Sequence, residues 1–293
     1  MSPRPDITAF HEARTGSVQY VVADPASGDC AIIDPVLDYD EKSGATATRQ
    51  ADRILDFIAA RGLRPVWILD THPHADHFSA AAHLRQRTGA PMATGALVTE
   101  VQSLWTRLYG FPEGHFRATD WDRLLAPGET LRIGGLEARV MASPGHTLAS
   151  ITFVIGDAAF IHDTLFMPDS GTARADFPGG DAAALWRSIQ AILALPEATR
   201  LFTGHDYSPG GRAPAWESSV AGQKAGNIHL QRYPDEASFV AARQARDRTL
   251  PMPKLILHAL QVNLRGGRLP EPGPGGRRCL SIPLDALPGA AWD

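Results

Sequence analysis

The chain has 293 residues, 44% of them hydrophobic, and 28 Lys and Arg against 32 Asp and Glu give a formal charge of −4. That size suits one large domain, or one domain with an extension, and the lack of a basic surplus argues against a nucleic-acid partner. Cys30 and Cys279 are too few for a disulfide scaffold; with no apolar leader in residues 1–10 and no apolar run of about 18 residues, no signal peptide or membrane span is expected, and the chain reads as a reduced cytoplasmic protein whose cysteines are structural.

In chain order, residues 18–23 and 29–34 read as strands around the turn Asp24-Pro25-Ala26-Ser27-Gly28. Residues 38–44 are polar and read as loop. Ile54, Leu55, Phe57 and Ile58 recur at helical spacing within 48–61, with Gly62 placed to cap the helix. A strand is expected at 65–70, a helix at 78–87, a turn at 88–91 and a short strand at 92–94. Leu97, Val101, Leu104, Trp105 and Leu108 give 96–109 one apolar helical face, which fits a packed helix or a lid. Residues 111–121 are irregular, with His115 as a surface polar group. A hairpin at 128–136 leads into strand-like runs at 137–141, 151–155 and 158–161. A helix at 181–195 and a strand at 199–203 complete an α/β core over 1–206. From 207 the chain changes character: a Gly/Pro-rich loop to 214, helical signals at 216–232 and 236–248, the break Pro251-Met252-Pro253, an apolar run at 254–264 and loop at 266–274. Residues 207–293 are therefore expected to form a helical and loop extension packed on the core, with His229 and His258 as structural residues.

The chemistry concentrates in Thr71-His72-Pro73-His74-Ala75-Asp76-His77, between an expected strand and an expected helix. In an extended loop, residues two apart point the same way, so His72, His74 and Asp76 can converge while His77 faces a neighbouring volume. Burying such a cluster without a partner would cost several kcal/mol, on the order expected for unpaired polar groups, and imidazole with carboxylate is a first-row metal donor set. Three further strand ends carry potential ligands: His146 in Ser143-Pro144-Gly145-His146-Thr147, Asp163 beside His162, and His205 in Thr203-Gly204-His205-Asp206. That is the pattern expected if several strands of a sheet aim ligands at one edge.

The order His-x-His-x-Asp-His, Pro-Gly-His-Thr, Asp-Thr, Gly-His resembles the metallo-β-lactamase superfamily, which implies an αββα sandwich, here with a helical C-terminal extension. The stretch Leu165-Phe166-Met167-Pro168-Asp169-Ser170-Gly171-Thr172-Ala173-Arg174-Ala175-Asp176-Phe177-Pro178-Gly179-Gly180 resembles the persulfide dioxygenase branch, the sulfur dioxygenases that include the ethylmalonic encephalopathy protein. Within that branch the chain looks most similar to the bacterial β-lactamase-like-hydrolase group. Gly204-His205-Asp206-Tyr207, Trp216-Glu217-Ser218, Asn227-Ile228-His229 and Leu250-Pro251-Met252-Pro253-Lys254-Leu255 extend the resemblance over most of the chain.

The resemblance implies one Fe(II) held by His72, His146 and Asp163, with His74, Asp76, His77 and His205 beside it holding no second ion. It also implies glutathione persulfide and O₂ as substrates, sulfite and glutathione as products, and a homodimer. Two His and one carboxylate make the facial triad of non-haem iron oxygenases, which leaves open positions for substrate and O₂. Tyr207 is a candidate donor to substrate. Arg174, paired with Asp176, is a candidate for aligning it, and Arg212, Lys224 and Arg265 are candidates for the glutathione carboxylates. Asp206 is expected to orient His205. Two departures from the resembled pattern stand out: His162 where relatives usually carry Gly, and Ala175 where many carry Cys. The main alternative is a di-zinc thioester hydrolase of the glyoxalase II type, with His72, His74 and His146 on one zinc, Asp76, His77 and His205 on the other, and Asp163 bridging. A non-catalytic sensor on the same scaffold is disfavoured by the intact triad.

Overall fold

The computed structural model describes residues 4–288. Two six-stranded sheets face one another. The first runs, in spatial order, Asp6–Glu12, Ser17–Ala23, Asp29–Ile33, Arg64–Leu69, Met92–Gly95 and Arg123–Leu125; the second runs Thr130–Ile133, Leu136–Ala142, Ile151–Ile155, Ala158–His162, Arg200–Thr203 and Glu217–Ser219. Between them, Tyr20, Val22, Ile33 and Leu69 from one sheet meet Ile133, Val140, Phe153 and Phe160 from the other in a dry core. The alternation of apolar and polar residues along Thr130–Ile133 and Leu136–Ala142 puts Leu131, Ile133, Ala138 and Val140 inward. Helices Arg49–Ala60, Ala81–Thr88 and Val98–Tyr109 cover the outer face of the first sheet. Ala182–Leu193 covers the second, with Leu185, Ile189 and Ile192 buried. The result is the expected αββα sandwich.

Several local expectations are corrected. Residues 38–44 are not simply loop: Val36–Asp40 and Ala45–Ala47 form a small antiparallel hairpin, and Val36–Asp40 also pairs with Phe78–Ser79. The expected helix at 78–87 therefore begins later, at Ala81. Packing decides this, since Tyr39 stacks on Phe78 with ring centroids 4.1 Å apart. The 216–232 stretch opens as the strand Glu217–Ser219, antiparallel to Arg200–Thr203, and then breaks into helices Val220–Gly226 and Ile228–Arg232. The break is at Asn227, whose side chain caps the second helix by accepting from the His229 and Leu230 N–H groups. The strands Asp6–Glu12 and Arg123–Leu125 were not expected at all. Val98–Tyr109 follows the packed-helix reading, with Val101, Trp105 and Tyr109 buried. Cys30 lies in the core, but Cys279 is exposed, so only the first fits the structural role expected of both. Among the described residues no helix is long and apolar enough to cross a membrane.

The two sheets are tied at one end. Ile151 donates its N–H to the Thr71 carbonyl at 2.9 Å, and Val18 donates to the Gly204 carbonyl at 2.8 Å. These bonds set the 71–77 loop against the ends of the second sheet. The C-terminal helix Ile256–Asn263 closes the same loop from outside: the Asn263 side-chain NH₂ donates to the carbonyls of His74 and His77, each at 2.7 Å, while its Oδ1 accepts from the Ser79 N–H at 2.7 Å. Replacing this fully used, buried amide strands three backbone groups. Asn263→Ala is expected to cost about 2–4 kcal/mol, measured as a lower urea midpoint at unchanged slope; an unaltered midpoint would show that the tie carries no stability.

Candidate metal centre

His72, His146 and Asp163 each bring one ligand atom into a group whose members all lie within 4.8 Å of one another. Hydrogen bonds on the far side of each ring decide which atom is presented. Thr71 uses its hydroxyl hydrogen on Asp34 Oδ2 at 2.8 Å, so its oxygen accepts from His72 Nδ1 at 3.0 Å. His72 Nε2 is then a buried lone pair without a partner. His146 Nδ1 donates to the Arg174 carbonyl at 2.9 Å, which leaves Nε2 unprotonated and 3.7 Å from Asp163 Oδ2. Asp163 Oδ1 accepts from His205 Nδ1 at 2.6 Å. Burial, with the neighbouring His74, His162 and His146, holds the His72 pKa well below its ordinary value, so the ring is neutral and in its ligand form. Two imidazole nitrogens and one carboxylate oxygen converging with an orphaned lone pair fit a first-row metal ion. Two glycines permit the convergence. A Cβ on Gly204 would fall 2.6 Å from Asp163 Oδ1, and one on Gly145 (φ +138°) would fall 2.3 Å from the Leu185 backbone.

The remaining polar residues of the motif form an adjoining knot. Asp76 Oδ2 accepts from Ser17 Oγ at 2.9 Å, His77 Nδ1 at 2.7 Å and His205 Nε2 at 2.7 Å. His205 therefore spans two carboxylates. Burial works against its charge, but Asp163 and Asp76 outweigh this and raise its pKa well above normal. His74 turns Nε2 to Asp34 Oδ1 at 3.0 Å; burial opposes protonation, yet Asp34, Asp76 and Asp70 carry its pKa up to about 9. His74 Nδ1 and His77 Nε2 have no hydrogen-bond partner. Beneath them burial pushes Asp70 up to about 7.

Neither departure from the resembled pattern removes a ligand. His162 occupies a left-handed backbone position (φ +41°) that suits glycine. Its Nε2 lies 2.8 Å from Ser143 Oγ and 3.0 Å from Thr164 Oγ1, and its ring sits 5.1 Å from that of His72. It packs behind the ligands. Ala175 donates its N–H to Asp247 Oδ2 at 2.9 Å and is buried.

His146 and Asp163 open onto a cavity of about 490 Å³, walled by Arg174, Phe177, Tyr207 and Leu250 among others. Arg174 is held rigidly: Nε and NH2 bind Asp176 at 2.6 and 2.8 Å, NH1 donates to the Pro251 carbonyl at 2.7 Å, and the guanidinium lies 5.0 Å from the Phe177 ring centre. Tyr207, the candidate donor, also lines this cavity. It is 61% exposed and its ring lies parallel to that of His205, 5.8 Å away.

Other expected site residues lie elsewhere. Arg212 clamps Asp169 and Asp206 with bonds of 2.6–2.8 Å. Asp206 accordingly faces Arg212 and the Ala215 N–H rather than His205. Lys224 is 3.7 Å from Glu197 and Arg265 is 3.8 Å from Glu271. None of these three cations lines the cavity, and each is drawn to a nearer carboxylate. The cavity is lined instead by His229, Arg243 and Arg246. The i, i+3 spacing of Arg243 and Arg246 within a helix was a legible signal for the two arginines. His229, expected to be structural, accepts from the Thr172 N–H at 3.0 Å and also faces the cavity.

Arg212 is thus a structural cation, with Asp206 wholly buried beneath it. Burial raises the Asp206 pKa, but Arg212 and the Ala215 N–H hold it below the ordinary carboxylate range. The stability this supplies is full at neutral pH and is lost as pH falls below about 4. Arg212→Gln is expected to destabilise the fold by about 1–3 kcal/mol at pH 7, with that difference shrinking in acid and substrate KM unchanged. A raised KM at unaltered melting temperature would return Arg212 to the substrate site.

A family model described as the metallo-beta-lactamase superfamily matches residues 14–205. The chain is 64% identical over 288 residues to the beta-lactamase hydrolase-like protein of Xylella fastidiosa (strain Temecula1), covering 98% of this chain and 67% of that one. It is 30% identical over 259 residues to the mitochondrial persulfide dioxygenase ETHE1 of Bos taurus, covering 87% and 86%. The crystal structure of ETHE1 from Myxococcus xanthus matches with a TM-score of 0.72 at 28% identity, over 90% of this chain and all of that one, covering 100%. Fold, ligand order and matched length agree, and the chain belongs to the metallo-β-lactamase superfamily.

Proposed function

We propose that the chain is an Fe(II)-dependent persulfide dioxygenase that converts glutathione persulfide, O₂ and water to glutathione and sulfite with release of protons. The observation that carries this reading is the outer support of His146. Its Nδ1 is held by the carbonyl of Arg174, and the Arg174 guanidinium is held by Asp176 and the Pro251 carbonyl. The two stretches that resemble the dioxygenase branch, around 165–180 and 250–255, are thereby joined into one wall behind a ligand and along the cavity. The three-residue group His72, His146 and Asp163 supplies the ligand set such chemistry needs.

Fe(II) bound there would supply the O₂ activation that no side chain provides. The protein does the rest. His146 and Asp163 face the cavity, so a metal held there would be open to a ligand sulfur from that side. Phe177 and Leu250 give the wall an apolar surface, and Tyr207 presents a hydroxyl at the same mouth. The positive His205, set between Asp76 and Asp163, balances the two carboxylates without a second cation. It also leaves Asp163 Oδ2 as the oxygen available to the metal.

A di-zinc thioester hydrolase is the second reading, favoured by the unpartnered His74 Nδ1 and His77 Nε2. Metal content separates the two. Anaerobically purified protein is expected to hold about one iron per chain, as one facial triad requires, and to consume O₂ when glutathione persulfide is added. About two zinc per chain with cleavage of a glutathione thioester and no O₂ uptake would establish the hydrolase. His77→Ala is expected to leave iron content nearly intact, whereas Asp163→Ala abolishes it; loss of half the metal in His77→Ala would favour the two-metal centre.

A further inference from the structure

Ser17 opens the strand Ser17–Ala23 and stands outside the ligand motifs. It is buried, and its Oγ lies 2.9 Å from Asp76 Oδ2, 3.1 Å from His77 Nδ1 and 3.1 Å from His205 Nε2. These are the three residues that the two-zinc alternative gives to its second ion. One hydroxyl therefore sits where their three polar atoms meet. Its place is fixed from two sides. Thr15 Oγ1 lies 2.6 Å from it and itself donates to Glu12 Oε2 at 2.7 Å. An isolated antiparallel bridge pairs Ser17 with His205, and the Asp206 N–H donates to the Gly16 carbonyl at 3.0 Å. Gly16 (φ +76°) permits that approach, since a Cβ there would fall 3.0 Å from the Asp206 carbonyl oxygen.

The contact also fixes how His77 is turned. The two nitrogens of an imidazole point in different directions. With Nδ1 on Asp76 and Ser17, His77 Nε2 faces away from the point where Asp76 and His205 meet, and it has no partner. A zinc ion needs its nitrogen and carboxylate donors at about 2.0–2.2 Å. Among the described residues, the group around Asp76 that could hold an ion contains His74 and His77 but not His205. The set Asp76, His77 and His205 thus closes on the Ser17 hydroxyl rather than on one ion. An ion would have a route in, because Glu12, Thr15, Asp76 and His77 also line a cavity of about 400 Å³.

We propose that Ser17 sets the metal number of the site: its hydroxyl holds Asp76, His77 and His205 in a hydrogen-bonded arrangement that excludes a second ion. Ser17 is a positioning residue, acting through the three side chains it gathers. This rests on the reading above only in taking one ion at His72, His146 and Asp163. Metal number then depends on a residue outside the ligand motifs, although every ligand for two ions is present in the chain.

The test is metal counting. Metal-free wild type, Ser17→Ala and Ser17→Thr are incubated with excess zinc, desalted and subjected to elemental analysis, and melting temperatures are read with and without zinc. Wild type and Ser17→Thr, which keeps the hydroxyl, are expected to hold about one ion per chain. Ser17→Ala removes one atom from a buried position and adds none; it is expected to hold about two ions, with a larger zinc-dependent rise in melting temperature. Adding His205→Ala to Ser17→Ala is expected to remove the extra ion. Damage to the fold lowers metal content, so a gained ion is a readout that a merely structural role does not produce. An unchanged count in Ser17→Ala, about two zinc in the wild type, or an extra ion that survives His205→Ala would each overturn the proposal. Ser17→Gly supplies the same test if the alanine variant does not fold. Absent O₂ uptake by the iron-loaded wild type, with the extra ion of Ser17→Ala retained, would overturn the dioxygenase reading and leave Ser17 in this role.

Discussion

Seven ionisable side chains from four strand ends share one volume at the edge of the sandwich: His72, His74, Asp76, His77, His146, Asp163 and His205. Bringing them out of water is costly unless every charge and lone pair is matched. The matching is nearly complete. Asp163 serves the ligand group with one oxygen and His205 with the other, Asp76 gathers three donors on one oxygen, and Asp34 answers His74 and Thr71. What remains unmatched is a small set of imidazole lone pairs, and a metal ion is the partner that completes them.

Much of the architecture serves that convergence. The backbone bonds Thr71–Ile151 and Val18–Gly204 fix the sheet ends against each other. Gly204 lets the Asp163 carboxylate come close, and Gly145 lets the His146 loop settle on the helix Ala182–Leu193. Strain is tolerated where it helps. Asp34 (φ +51°) and His162 (φ +41°) hold left-handed backbone positions that cost about 1–3 kcal/mol each, and both lie directly behind ligand residues.

The extension beyond 206 is part of the site. Asn263 buttresses the carbonyls of His74 and His77, Asp247 receives the Ala175 N–H, and the Pro251 carbonyl receives Arg174. The cavity wall and the metal-loop geometry are therefore coupled through one segment. The same αββα frame can serve different reactions because the ligand loops belong to the frame while the cavity wall is shared between the 166–177 segment and the extension.

The sandwich class came from the resemblance that the motif order carries; the sequence by itself determined the strand ends that carry candidate ligands and the inventory of those ligands. Those features are local: an apolar run fixes a strand, and a His or Asp at its end has nowhere else to go. It also carried, in the 165–180 segment, the resemblance that narrows the chemistry. Only the tertiary structure decided the pairings. Arg212, Lys224 and Arg265 were plausible carboxylate partners until their nearest acids were known. Asp206 turned from His205 to Arg212 for the same reason. The hairpin Val36–Asp40 with Ala45–Ala47 and the strand Glu217–Ser219 form because a distant edge is there to receive them, and no short stretch of sequence encodes that edge. A side chain's type follows from the gene, whereas its partner depends on charges brought near by residues far away in the chain.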